Sequence, residues 1–248
     1  MKTKMLKIGL LLAATFTLAG CGSMMQQNRS VHCAGSLYPY LNTNVEAQAG
    51  SPRISPTAGP LKVGVAFVPG FYSSEGLGKS SLPGEQLSAD DKLALLERVG
   101  GLLKQYSFVK SVETVPSTYL GTNGGFEILD NLRSTLGVDT MLLLAYDQSQ
   151  FSDEGALAMS YWTIVGAYFV RGERNETKTV LEAAFYDIGS HRLLFRATGT
   201  SIVKASATPV NLSEQLRRDN QQGFNEAMID LVPRLRMQLD QLDRSVGK

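Results

Sequence analysis

Apolar residues enter this chain in three kinds of pattern. An uninterrupted stretch, Ile8 to Leu18, opens it behind three lysines. Short β-branched stretches bounded by glycine and proline follow further on. Leu61–Val68 (LKVGVAFV), closed by Pro69-Gly70, predicts a buried strand, and Phe108–Val115, closed by Pro116, predicts a second. Val138–Tyr146 (VDTMLLLAY) has no polar alternation in its middle, which predicts a central strand covered on both faces. Between these strands the spacing turns helical. Ser88 with Asp90 and Asp91 caps a helix whose predicted apolar face is Leu93, Leu96, Val99, Leu103 and Tyr106. Gly124-Gly125 opens and Gly137 closes a shorter helix over Phe126–Leu136.

The order of elements then changes. Ser160–Val170, Thr177–Ile188 and Arg192–Val203 predict three long strands, joined by the polar stretch 171–176 and by Gly189-Ser190-His191; connections this short imply an antiparallel meander. Asn211 and Glu214 form an Asn-x-x-Glu capping box for a long final helix. Its apolar stripe is Phe224, Met228, Leu231, Leu235, Leu239 and Leu242, with a kink expected at Pro233. The expected fold is α/β in the mixed α+β sense: a single mixed sheet, βαβαβ followed by a three-strand meander and a long C-terminal helix. Residues 61–248 are expected to form that one domain. Residues 21–60, rich in Ser, Gly, Asn and Gln and punctuated by Pro39, Pro52, Pro56 and Pro60, predict a tether. Its r.m.s. reach would be on the order of 30 to 35 Å. Leu37–Leu41 (LYPYL) is an apolar island inside it that is expected to dock on the domain.

The N-terminus supplies the clearest chemistry. Lysines, then the apolar run, then Leu18-Ala19-Gly20-Cys21 give the layout of a bacterial signal peptide, residues 1–20, ending in a lipobox. Cleavage before Cys21 and lipidation of its thiol would anchor everything that follows to a membrane. The apolar run falls short of the roughly 20 residues that a spanning helix needs. Gly22, rather than an aspartate, after the cysteine favours the periplasmic face of the outer membrane, with the inner membrane as the alternative.

Charge excludes one class of partner. The chain holds 24 Lys plus Arg and 23 Asp plus Glu, and removing Lys2, Lys4 and Lys7 with the signal leaves 21 against 23. So balanced a surface creates no field to collect nucleic acid. Cys21 and Cys33 are the two cysteines, so lipidation of Cys21 leaves Cys33 as an odd thiol. His32 beside it cannot complete a zinc site, which takes three or four protein ligands.

The strings VGVAFVPG (63–70), VPSTYL (115–120), YDQSQFSDEG (146–155), YWTIVGAYFVRGERNET (161–177), LLFRATGTS (193–201) and SATPVNLSEQLRRD (206–219) resemble the rhombotarget lipoproteins. The similarity runs from about Leu61 to about Leu231, in addition to the lipobox. Members of that family occur with rhombosortase, an intramembrane protease, and carry a Gly-Gly sorting tail with an apolar segment and a basic end. Residues 238–248 here have neither Gly-Gly nor an apolar run, so the resemblance does not extend to that processing. It implies no catalytic residue and no cofactor.

Other candidate chemistry is sparse. Gly78-Lys79-Ser80 imitates the end of a P-loop, but Ser73 stands where its first glycine belongs and Leu82-Pro83-Gly84 interrupts the required helix, so no nucleotide is expected. Asp147, Asp153 and Glu154 are expected in a loop after the central strand, where carboxylates could pair as acid and base or hold a cation. A solvated acidic loop is the competing account. His191 is the candidate general base, in a hairpin turn with no nucleophile elbow to serve. Asn175-Glu176-Thr177 matches a glycosylation sequon and is expected in a polar turn. The expected function is therefore that of a membrane-anchored envelope lipoprotein, non-enzymatic, without cofactor or metal, binding another envelope protein. The aromatic strand (Tyr161, Trp162, Tyr168, Phe169) and the C-terminal helix are the surfaces it would offer, and a role in rhombosortase-type sorting is a further expectation. The alternative is a small-ligand-binding protein or hydrolase using the 147–154 stretch.

Overall fold

One 15-residue strand, Thr140–Glu154, holds the sheet together. A computed structural model of the chain describes residues 29–34, 41, 59–69, 71–73, 88–121, 124–154, 173–207 and 212–246. In order these form β1 (Arg29–Ala34), β2 (Leu61–Phe67), β3 (Phe71–Ser73), α1 (Ala89–Leu103), β4 (Val109–Thr114), a 3-10 turn (Ser117–Leu120), α2 (Phe126–Leu136), β5 (Thr140–Glu154), β6 (Glu173–Asp187), β7 (Arg192–Ala207) and α3 (Leu212–Val246). The sheet is mixed, as the pattern of elements predicts. On one edge of β5, β2 pairs in parallel from Val63↔Thr140 to Phe67↔Leu144, and β4 pairs in parallel with β2. Further along that same edge, β1 pairs antiparallel from Ala34↔Asp147 to Arg29↔Ser152, with β3 beyond it. The other edge pairs with β6 over all fifteen residues, and β6 pairs with β7.

Unbroken apolarity at the start of β5 has the expected result: Met141, Leu142, Leu143, Leu144 and Ala145 are all at most 1 % exposed. Alternate residues go to opposite faces. Leu142 and Leu144 meet Leu95, Val99 and Leu103 of α1 and Phe224 to Leu242 of α3. Met141, Leu143 and Ala145 meet Leu129 and Leu132 of α2 and Leu120 of the 3-10 turn. Each fully buried aliphatic side chain of this kind contributes about 1.5–3 kcal/mol relative to exposure.

The helix ends follow their residue chemistry. Ser88 Oγ accepts from Asp91 N at 3.0 Å to cap α1, and Gly137 at φ 69° closes α2 in the left-handed conformation. Asp139 ties three strand ends together: its Oδ2 accepts from Lys62 N (2.9 Å), its N–H donates to Lys62 O (2.8 Å), and its carbonyl accepts from Ile188 N (3.2 Å). Against β7, α3 comes so close that a Cβ on Gly199 would run into the Ala227 carbonyl and, at 2.6 Å, the Leu231 backbone nitrogen.

Four expectations need correction. Arg29–Ala34, inside the stretch read as a tether, is a strand paired to β5, and Leu41 is buried at 2 %; the rest of 21–60 up to Ala58 lies outside the described residues. Strand pairing satisfies backbone groups whatever the side chains are, so polar composition alone does not exclude it. In α1 the buried face is Leu95, Val99, Leu102 and Leu103, while Leu93 is 50 % exposed. The cluster of leucines at 93, 95 and 96 allows more than one rotation, and packing selects Leu95. The meander is β5, β6 and β7: the central strand doubles as its first member, and 160–170 lies outside the described residues. Finally, Asn175-Glu176-Thr177 lies in β6, not in a turn, and Thr177 is 0 % exposed.

Candidate functional site

The acidic stretch is not a loop. Asp147, Asp153 and Glu154 lie within the second half of β5, opposite Val180, Arg174 and Glu173 of β6. Strand alternation puts positions 153 and 154 on opposite faces, and 147 and 153 six residues, about 20 Å, apart. The register therefore does not bring the three positions together. Among the described residues, no group of three or more His, Cys, Asp or Glu is placed to hold a metal ion. Leu18–Cys21, Gly78-Lys79-Ser80 and the aromatic strand (Tyr161, Trp162, Tyr168, Phe169) lie outside the described residues. His32 and Cys33 occupy β1, opposite Ser149 and Gln148.

His191 takes a structural position. At φ 56° it forms the tight β6–β7 turn, its ring stacks on Phe126 (4.6 Å between centroids, 14° between planes), and Nε2 lies 3.0 Å from both carboxylate oxygens of Asp130. The neighbouring hydroxyl, Ser190 Oγ, donates to Asp187 Oδ2 (2.5 Å) rather than facing the imidazole. This arrangement pins the turn to α2.

A group that sequence reading missed lies between α3 and the far half of the sheet. Alternation along β5, β6 and β7 turns Gln148, Thr177, Thr179 and Ser201 toward α3, all at most 9 % exposed. From α3, helical spacing brings Leu216, Asp219, Asn220 and Gly223 onto them. Gln148 Nε2 donates to Thr179 Oγ1 (2.7 Å) and to the Asn220 carbonyl (3.4 Å). Ser201 Oγ donates to the Gly223 carbonyl (2.6 Å). Gly223 is what permits this approach, since a Cβ there would stand 2.6 Å from Thr179 Oγ1. Asp219, 1 % exposed, accepts from Gln215 Nε2 at 2.8 Å through Oδ1, while Oδ2 is buried without a hydrogen-bond partner. Burial raises its carboxyl above the usual range, against the smaller lowering effect of the Gln215 hydrogen bond. The legible signal was Thr, Thr and Ser at core-facing positions of otherwise apolar strands.

On the opposite face of this far half, β6 and β7 carry exposed apolar side chains. Val180 (37 % exposed) and Ile202 (58 %) sit among ion pairs: Arg196–Glu182 at 2.6 Å, Lys178–Glu176 at 3.1 Å and Lys204–Glu176 at 3.4 Å. The hydrogen bond from Lys178 lowers the Glu176 carboxyl below its ordinary value. By contrast, the C-terminal helix does not offer its long apolar stripe to a partner. Phe224, Leu231, Leu235, Leu239 and Leu242 are at most 1 % exposed, spent on the core.

No protein-family model matches the chain, and no curated protein matches it in sequence. Among solved structures it is similar to the PelC dodecamer protein of Paraburkholderia phytofirmans (12 % identity, covering 79 % of this chain and 95 % of that one, TM-score 0.33). It is also similar to a putative neuraminyllactose-binding hemagglutinin homolog of Helicobacter pylori (9 %, covering 80 % and 92 %, TM-score 0.40). A third is the lipoprotein GNA1162 of Neisseria meningitidis (12 %, covering 66 % and 96 %, TM-score 0.28). Similarity at this level assigns neither a family nor an activity.

Proposed function

We propose that the protein is an envelope lipoprotein, anchored through Cys21 at the periplasmic face of the outer membrane, which presents its mixed α/β domain to another envelope protein and performs no catalysis. The observation that carries this reading is the lipobox Leu18-Ala19-Gly20-Cys21 directly after a short basic and apolar leader. Its resemblance to the rhombotarget lipoproteins supports an envelope location. Residues 238–246 belong to α3, with Leu239 and Leu242 in the core. Among the described residues no helix is long and apolar enough to cross a membrane. The open face of β6 and β7, with Val180 and Ile202 between ion pairs, is the surface assigned to the partner.

Two measurements test this. Cys21→Ser should abolish incorporation of labelled fatty acid and release the protein from the membrane fraction; continued labelling and membrane retention would exclude the anchor. A photo-crosslinking residue at Ile202 in intact cells should give an adduct with a second envelope protein, whereas recovery of the monomer alone counts against the partner.

A further inference from the structure

We infer that the first three turns of α3, Leu212–Gln222, form a strap that leaves the sheet and returns to it as a unit, pivoting at Gly223, while the remainder of α3 stays docked. The two parts of the helix are held by different forces. From Phe224 to Leu242 the sheet-facing residues are Phe, Ala and Leu in the larger apolar core, and separating them would expose that core to water. Before Gly223 the contact is mostly polar, with Gln148, Thr177, Thr179 and Ser201 below and Asp219 and Asn220 above, beside the buried apolar side chains Val203 and Leu216. Polar groups released from such a contact regain hydrogen bonds from water, so the net loss is small. Leu216 is the one buried apolar side chain between residues 214 and 222, against six such residues from Phe224 to Leu242.

Two further features favour movement as a unit. The strap carries its own helix-stabilising pairs, Glu214–Arg217 (3.4 Å), Glu214–Arg218 (3.2 Å) and Gln215–Asp219 (2.8 Å), which support its helical form apart from the sheet. Asp219 opposes docking, because it enters the seam with one carboxylate oxygen unpartnered, and undocking returns that oxygen to water. Gly223, lacking a Cβ, gives the backbone freedom at the boundary between the two halves. Opening the strap uncovers an amide and three hydroxyl groups spread over three adjacent strands.

Hydrogen exchange with peptide-level mass spectrometry, on the full-length protein in detergent micelles, tests the inference. The expected result is a step at Gly223, with amides of 213–222 exchanging at least ~10-fold faster than those of 224–242. Asp219→Asn, which keeps the side-chain shape and the Gln215 bond but removes the charge, should slow exchange in 213–222 alone. Uniform protection along α3, a gradual rise towards Leu212 characteristic of end fraying, or no response to Asp219→Asn would each overturn it.

Discussion

At the scale of single residues, Asp219 and Gly199 show how strongly α3 constrains the positions it touches. Asp219 has a raised carboxyl pKa in the fold, with burial as the main cause. A group raised in the folded state contributes fully below its unfolded pKa, near 3.8, and that contribution is lost as pH rises through the folded value. Asp219→Asn should therefore increase stability relative to the native protein at about pH 7 and give little difference at about pH 4, read as urea midpoints at the two pH values. Gly199→Ala places a methyl group against the backbone of α3, which cannot rotate away as a side chain could. It should destabilise by about 1–3 kcal/mol, measured by urea denaturation. Neither residue stood out in the sequence, where a lone aspartate on a helix and a glycine in a strand are commonplace. What makes them special is the meeting of α3 with β6 and β7, a contact between distant segments that no local pattern encodes. His191 is similar: its turn was legible, but its partner Asp130, 61 positions away, was not.

Elements were more legible than their rotations. The caps at Ser88 and Gly137, and the strands starting near Leu61 and Val109, follow from residues adjacent in sequence. The facing of α1 did not, since its leucines fit more than one stripe. Accordingly Leu95→Ala should cost about 2–5 kcal/mol and Leu93→Ala within about 0.5 kcal/mol, compared by thermal or urea unfolding. Pro233 lies inside a helix assigned continuously from Leu212 to Val246, where it removes the N–H that Ile229 O would accept. Ile229 and Pro233 are both exposed, so water can serve the freed carbonyl. Pro233→Ala should stabilise the protein by up to about 3 kcal/mol, checked by the shift in urea midpoint. The second half of β5 has the composition of an acidic loop, because Asp, Gln and Ser are poor strand formers taken alone. Pairing with β6 along fifteen positions overrides that preference.

At the scale of the whole molecule, the described residues form two apolar cores that share one strand. Leu142 and Leu144 belong to one, Met141, Leu143 and Ala145 to the other, so neither can melt without dislodging the strand that supports its counterpart. Unfolding of the domain should accordingly be a single transition, with far-UV and near-UV circular dichroism giving the same midpoint. A lipobox is a contiguous signal and can be read from sequence, whereas the proposed partner surface draws on residues from Glu176 to Ile202 across two strands.

The shared strand also raises a problem of frame. From Met141 to Ala145 both faces of β5 are apolar, so sliding it by one position against its neighbours would exchange one set of aliphatic side chains for another and be penalised little by water. Beyond Tyr146 the same slip would carry Gln148 away from Thr179 and turn Asp147 under α3. The polar end of the strand, and not its greasy beginning, is thus what tells the chain which of two nearly equivalent alignments to keep.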